Sequence, residues 1–133
     1  MLLDELSLEE KKAFWNIANV LAAVDGRTAS EESILNQYKE EMGVDFELID
    51  SADIDIKNEL AKLGASSIRN RKIVYFELFS VAYADTEFDE KEKGILDEAY
   101  AVLGISSNDR EFLESSVKTI FDTYKTLGDV LNT

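Results

Sequence analysis

The chain of 133 residues carries 28 acidic and 14 basic side chains, a formal net charge of −14, and contains no histidine, cysteine or proline. The missing residue types exclude Ser-His-Asp and Cys-His catalytic groups, disulfides and the usual zinc sites. The negative charge opposes contact with nucleic-acid phosphates and anionic lipids, so nucleic acid is not an expected partner.

The length fits a single domain spanning residues 1–133. The segment 1–5 lacks the basic region of a signal peptide. No apolar run approaches the roughly 18 residues that a transmembrane helix needs. We therefore expect a cytoplasmic protein with no membrane insertion.

Six helices are predicted, because Ser, Thr or Asp caps alternate with glycines along the chain. The first helix has the clearest signal: Ser7 and Glu10 form a capping box, and Phe14, Ile17 and Leu21 recur at helical spacing. The predicted spans are approximately 8–24, 28–42, 50–63, 66–84, 89–104 and 106–128.

The fourth segment is the most apolar, and only Glu77 and Ser80 interrupt its run between Ile73 and Ala82. Because these two residues lie three positions apart, they form a narrow polar seam on a buried helix. We expect Glu77 to pair with a Lys or Arg, or to reach solvent along the seam. The alternative, a carboxylate with a raised pKa, makes it the one candidate for acid–base chemistry.

The second half of the chain, about 66–128, repeats the pattern of the first, about 7–65. From the caps Thr28 and Asp89, a Glu follows at +3, an apolar pair at +6 and +7, and a Gly at +15. The sequence therefore predicts an all-α bundle of six or seven helices, built as two pseudo-symmetric three-helix halves. We expect the first helices of the two halves to pack against each other.

Each half has an acidic corner between its first and second helices. The acidic residues of these corners are Asp25, Glu31 and Glu32, and Asp85, Glu87, Asp89 and Glu92. Capping of a helix N-terminus accounts for Glu31, Asp89 and Glu92. It does not account for Asp25 and Asp85, which follow helix C-termini, where negative charge is unfavourable.

Two explanations for Asp25 and Asp85 are open. An Asp after a helix can begin an Asx-turn, or the corners can bind a hard divalent cation such as Ca²⁺, Mg²⁺ or Mn²⁺. Neither corner is an EF-hand, because Asn36 and Leu96 occupy the twelfth position. The candidate metal ligands are Asp25, Glu31, Asp85, Asp89 and Glu92.

At these corners the sequence resembles the TerB-like family of tellurite-resistance proteins. The shared pattern is a helix ending in Ala-x-x-Asp-Gly, a short loop, a Ser/Thr/Asp-x-x-Glu cap, an apolar pair and a Leu-Gly-Ile ending, present twice. The residues from 22 to 31 carry the first copy and those from 84 to 105 the second. Thr86 stands where the family favours glycine, and the first loop is one residue shorter. The resemblance extends over roughly residues 7–128.

The resemblance implies an all-α fold and a non-enzymatic accessory role in resistance to tellurite or other stresses. It also implies that acidic residues bind metal. A J-domain, which is fused to some family members, is excluded here because its His-Pro-Asp signature cannot be formed.

Further interpretations are open beside this one. The chain can be an acidic interaction module that binds another protein without metal. Alternatively, Ser51 in an Asp-Ser-Ala sequence resembles the attachment site of an acyl carrier, although the third residue differs from the usual Leu. Trp15 follows Phe14, so one of the two can lie at the edge of the buried stripe and mark a protein contact, but core packing is expected.

Overall fold

The computed structural model describes residues 2–24, 29–46, 51–84 and 90–132, and at 29–31 and 51 it describes the backbone alone. These ranges contain six α-helices and two short 3-10 turns, with no β-strand, which confirms the predicted all-α bundle. None of these helices is long and apolar enough to cross a membrane. The helices are α1 (Leu8–Ala23), α2 (Ala29–Met42), α3 (Ile56–Gly64), α4 (Ile68–Ala84), α5 (Glu90–Leu103) and α6 (Ser107–Leu131).

Local signals set most helix ends. The Ser7 hydroxyl accepts from the Glu10 N–H at 3.2 Å, and the Glu10 carboxylate accepts from the Ser7 N–H at 2.7 Å, which confirms the capping box. Gly43 and Gly104 follow α2 and α5 with φ angles of 67° and 64°. Only glycine adopts this left-handed conformation without steric cost, so the two glycines end equivalent helices in both halves.

Two predicted boundaries are wrong. α3 begins at Ile56 instead of 50–53, because Asp55 is its N-cap and accepts from the Asn58 N–H at 3.3 Å. α6 does not end at Gly128 but continues to Leu131. One glycine near a helix end costs only about 1 kcal/mol, which is too little to stop a 25-residue helix.

The centre of the bundle is α4, which packs against α1, α2, α5 and α6. Phe14 and Ile17 of α1 and Val74 and Leu78 of α4 are fully buried, so the first helices of the two halves pack together as predicted. Trp15 is 2% exposed and stacks on Phe46 with 6.3 Å between ring centres. The expectation that it belongs to the core is confirmed.

An ionic network fastens the start of α6 to the bundle. Arg110 contacts Asp97 of α5 at 2.6 Å and Glu114 of its own helix at 2.9 Å, and its guanidinium lies 4.4 Å from the centre of the Tyr100 ring. The Tyr75 hydroxyl of α4 donates to Glu114 at 2.5 Å. Burial, together with the nearby Glu114 carboxylate, raises the pKa of Tyr75, so the phenol keeps the proton that it donates.

The third helices of the two halves are used differently. α3 packs against α1 of its own half and also against α5 of the other half. A Cβ at Gly64 would lie 3.4 Å from the Val102 carbonyl, which shows how closely the two helices approach. α6 packs on α4, but a groove separates it from α2, the pseudo-symmetric equivalent of α5.

Candidate functional site

The predicted acidic corners lie mostly outside the described residues. This applies to Asp25, Asp85 and Asp89, and only the backbone of Glu31 is described, in the first turn of α2. Glu92 is described: it lies in the first turn of α5 and is 3% exposed. In the described part of the chain, no three metal-ligating side chains come together. The proposed ligand set therefore stays a prediction.

The predicted acyl-carrier position also stays untested. The backbone of Ser51 lies in a short 3-10 turn before α3, and its side chain falls outside the description.

A groove of about 940 Å³ lies between α2, α4 and α6. Ile34, Gln37, Tyr38 and Glu41 form its α2 wall. Their spacing of three or four residues places them on one helix face. This wall extends over about two helical turns, or roughly 11 Å.

The floor of the groove is the polar seam of α4. Phe76, Glu77, Ser80 and Ala84 line it, so the two polar residues that interrupt the apolar run meet a cavity rather than the core. The Ser80 hydroxyl donates to the Phe76 carbonyl at 2.9 Å. The seam predicted from the sequence is therefore confirmed, and it forms part of a surface.

Glu77 is the carboxylate at this floor and is 3% exposed. Burial raises its pKa above the usual range. The Tyr38 hydroxyl donates to the Glu77 backbone carbonyl at 3.1 Å. Burial, and then the charge of Glu77, raise the pKa of Tyr38 well above its usual value. Both groups are thus fixed under the groove with their protons held more tightly than in water.

The α6 wall is apolar, and its exposure to solvent rises from the buried Val117 to the exposed Tyr124. Val117, Ile120, Phe121 and Tyr124 line the groove, and Tyr124 is 72% exposed. The Phe121 ring is held in place by an edge-on contact with Tyr83, at 5.5 Å between ring centres. An aromatic side chain this exposed beside a cavity is available to a binding partner.

The apolar stripe continues beyond the groove. Apolar residues recur along α6 at alternating steps of four and three, at Leu113, Val117, Ile120, Tyr124, Leu127 and Leu131. Leu113 and Val117 pack on the bundle, whereas Tyr124, Leu127 and Leu131 are exposed. This spacing is typical of a helix that packs along its whole length against other helices. It is the sequence signal that could have revealed the apolar surface of α6.

The rim on the α2 side is acidic. A depression of about 380 Å³ adjoins the groove, shares Ser33 and Gln37 with it, and is bordered by Glu32 and Glu40. No Lys or Arg is among the described residues that line either cavity. The groove therefore has an acidic rim on its α2 side and an apolar wall on its α6 side.

A family model described as "Tellurite resistance protein TerB" matches residues 22–115, which is more than half of the chain. The chain belongs to the TerB family. No curated protein and no solved structure shows significant similarity to it.

The TerB match includes both acidic corners and ends at residue 115, inside α6. Val117, Ile120, Phe121 and Tyr124 follow this end, so the apolar wall of the groove lies beyond the matched region.

Proposed function

We propose that this TerB-family protein is a non-enzymatic accessory module of the tellurite- and stress-resistance type, and that it acts by binding another protein. The observation that supports this function is the groove between α2, α4 and α6, with its exposed apolar wall. Isolated exposed apolar residues are ordinary, but a contiguous exposed apolar stripe beside a cavity is typical of an interaction site.

The shape of the groove indicates a helical segment as the occupant. Each of its three sides is one helix face about two turns long, so the groove matches the length of a short helix. An amphipathic helix that lays its apolar face into such a groove is a recurring mode of protein recognition. The α6 stripe would extend the contact by one more turn or two, to Leu131.

Binding is a better explanation than catalysis for the groups in the groove. The sequence contains no His or Cys, which are the commonest general base and the strongest nucleophile of proteins. The Tyr38 hydroxyl is engaged by the Glu77 carbonyl. Convergent acid, base and electrophilic groups are the mark of an active site, and this arrangement supports a binding site instead.

The helix-binding function can be tested by nuclear magnetic resonance. A stapled helical peptide of about 18 residues, with a Leu face and neutral Gln flanks, is titrated into the isotope-labelled full chain. The expected amide shifts cluster in α2, α4 and α6 around the groove. Tyr124→Lys should weaken binding about tenfold or more, since a central aromatic contact becomes a charge.

The matched control is Phe112→Lys, because Phe112 lies on the same helix with the same 72% exposure but outside the groove. This variant should bind the peptide as the wild type does. Absence of binding, shifts that map elsewhere, or equal weakening by the two variants would contradict a helix-binding groove.

Cation binding at the acidic corners is a second candidate function. It is supported by family membership and by Glu92, a carboxylate that is held inside the first turn of α5 instead of extending into solvent. Hard divalent cations bind carboxylate oxygens, so a carboxylate placed in this corner is a suitable ligand.

Calorimetry with Ca²⁺, Mg²⁺ and Mn²⁺ tests this second function. Heat of binding should be seen for the wild type, and it should be lost in Asp85→Asn and Glu92→Gln but kept in Asp129→Asn, which changes an exposed acid on α6. Titrations without heat in the wild type would refute the cation site and leave the groove unaffected.

The resistance role is tested in cells. Deletion of the gene should lower the concentration of potassium tellurite that stops growth. Complementation with Phe112→Lys should restore resistance, whereas complementation with Tyr124→Lys should not. Unchanged tellurite tolerance after deletion would contradict this role.

A further inference from the structure

The two walls of the groove differ in chemistry, and from this difference we infer that the partner is a basic amphipathic helix. Its apolar face lies on α6 and on the floor, and a flank of Lys or Arg faces the acidic side of α2. The inference rests on the proposed function, since it specifies the partner of the same groove.

The acidic side is formed by α2. The sequence of this helix contains four Glu and a single Lys. Glu32 and Glu40 are exposed and border the depression beside the groove, and Glu41 lines the groove itself. The one basic residue, Lys39, contacts Asp45 at 3.0 Å and lies 5.7 Å from the centre of the Trp15 ring. It is therefore occupied outside the groove and does not neutralise this wall.

The apolar side is formed by α6 and carries no local excess charge. Between residues 118 and 131 its sequence has two Lys and two Asp, so this segment is neutral in a chain of net charge −14. Ile120, Phe121 and Tyr124 point into the groove from this side. A partner gains apolar contact from α6 and electrostatic contact from α2.

The floor carries a buried acid whose charged form is disfavoured by burial, so the carboxylates of the rim and the wall set the charge of the groove. Glu77 lies between the walls, next to Tyr38 and on the same cavity surface as Glu41. With carboxylates on the rim and the wall, and no Lys or Arg among the described residues that line the cavity, an acidic partner would be repelled. A second copy of this chain, also of net charge −14, would be repelled as well.

Peptides with a common apolar face test the choice of flank. Three stapled peptides of about 18 residues share one Leu face and carry Lys, Gln or Glu along one flank. Fluorescence anisotropy with the full chain should give the tightest binding for the Lys peptide and the weakest for the Glu peptide, with a ratio of about tenfold or more. The preference should shrink in high salt, because salt screens exposed charges.

A pair of double variants separates a local effect of α2 from the overall charge. Glu32→Lys with Glu40→Lys, and Glu9→Lys with Glu111→Lys, each change two exposed acids and raise the net charge from −14 to −10. The first pair lies on the acidic rim, and the second lies on α1 and on α6 outside the groove. The first pair should remove the preference for the Lys peptide, and the second should keep most of it. Urea midpoints verify that both variants fold.

The outcomes distinguish the two proposals. Equal binding of the three peptides at the groove overturns the basic partner and leaves the helix-binding function in place. Equal loss of preference in both double variants also overturns it, because overall charge would then be sufficient. If none of the peptides binds at the groove, the proposed function itself fails.

Discussion

The third helices of the two halves, α3 and α6, occupy equivalent positions in the repeat but pack differently against the other half. α3 has nine residues, buries Leu60 and Leu63 completely, and closes the bundle against α5. α6 has 25 residues, buries only Val117 among its described side chains, and leaves a groove beside α2. We call these regions the closed side and the open side. In this duplicated framework, one copy completes the core, and the other leaves a groove with an exposed aromatic side chain beside it.

The difference lies in where each helix places its apolar residues. Leu60 and Leu63 of α3 are buried, and α3 approaches α5 closely where Gly64 meets Val102. On α6 the apolar residues continue at heptad spacing into the exposed part of the helix, to Leu131. Buried apolar surface stabilises the fold, whereas exposed apolar surface is kept for association. Substitutions on the two sides should therefore differ in what they damage.

The largest expected effect is on the closed side. Leu63→Ala removes a fully buried side chain from the α3 contact and should lower the free energy of unfolding by about 2–5 kcal/mol. Tyr124→Ala on the open side should change it by no more than about 0.5 kcal/mol, since the ring is mostly in solvent. Urea denaturation measures both. A comparable loss in the two variants would show that the open side is also part of the core.

The next effect concerns the attachment of α6. Arg110→Gln leaves Asp97 and Glu114 without their guanidinium and should cost about 1–3 kcal/mol. Hydrogen exchange should also become faster in the first turns of α6. The control is Arg69→Gln, which breaks the exposed pair with Glu5 and should cost much less, because solvent screens exposed charges. Equal costs would mean that the network does not anchor the open side.

Many helix ends could be predicted from the sequence, because local residues determine them. Ser7 and Glu10 cap α1 by direct hydrogen bonds, and Gly43 and Gly104 end helices because of their φ angles. The prediction that α6 ends at Gly128 was wrong. The low helix propensity of one glycine is a weak local effect, and the long helix continues through it to Leu131. Tertiary context decides such cases, not local composition.

The candidate site was less accessible to prediction. The polar seam of Glu77 and Ser80 was visible in the sequence, but the groove above it depends on how far α6 lies from α2. No local pattern encodes that distance. The heptad spacing of α6 indicates a helix that packs, and it does not say whether the neighbour belongs to this chain or to a partner.

A pH titration of stability tests the role of Glu77 at the floor of the groove. Burial raises the pKa of Glu77 in the folded state above its pKa in the unfolded chain. As the pH rises between these two pKa values, the unfolded chain loses the Glu77 proton first. The stability contributed by the protonated form is therefore complete at low pH and declines as the pH rises towards the folded pKa. Glu77→Gln should remove this decline, so that the variant gains in urea midpoint relative to the wild type between pH 4.5 and 7.5.

The control for this titration is Glu40→Gln, which changes an exposed acid on the rim of the same groove. Its difference from the wild type should vary much less with pH. A constant offset between Glu77→Gln and the wild type at every pH would contradict the role assigned to burial.

The smallest effect compares the glycines that end α2 and α5 at equivalent positions. Gly43→Ala and Gly104→Ala both place a side chain at a positive φ and should each cost about 1 kcal/mol. Gly104→Ala should cost a few tenths of a kcal/mol more, because its Cβ would lie 3.2 Å from Arg71 Nη1, whereas nothing lies within 4 Å at Gly43. That Arg71 nitrogen donates to the Leu103 carbonyl at 2.8 Å and so holds the end of α5 in place. Thermal unfolding of the two variants under identical conditions resolves the difference. If Gly43→Ala is the more costly variant, the helix end beside the open side is the more tightly constrained of the two.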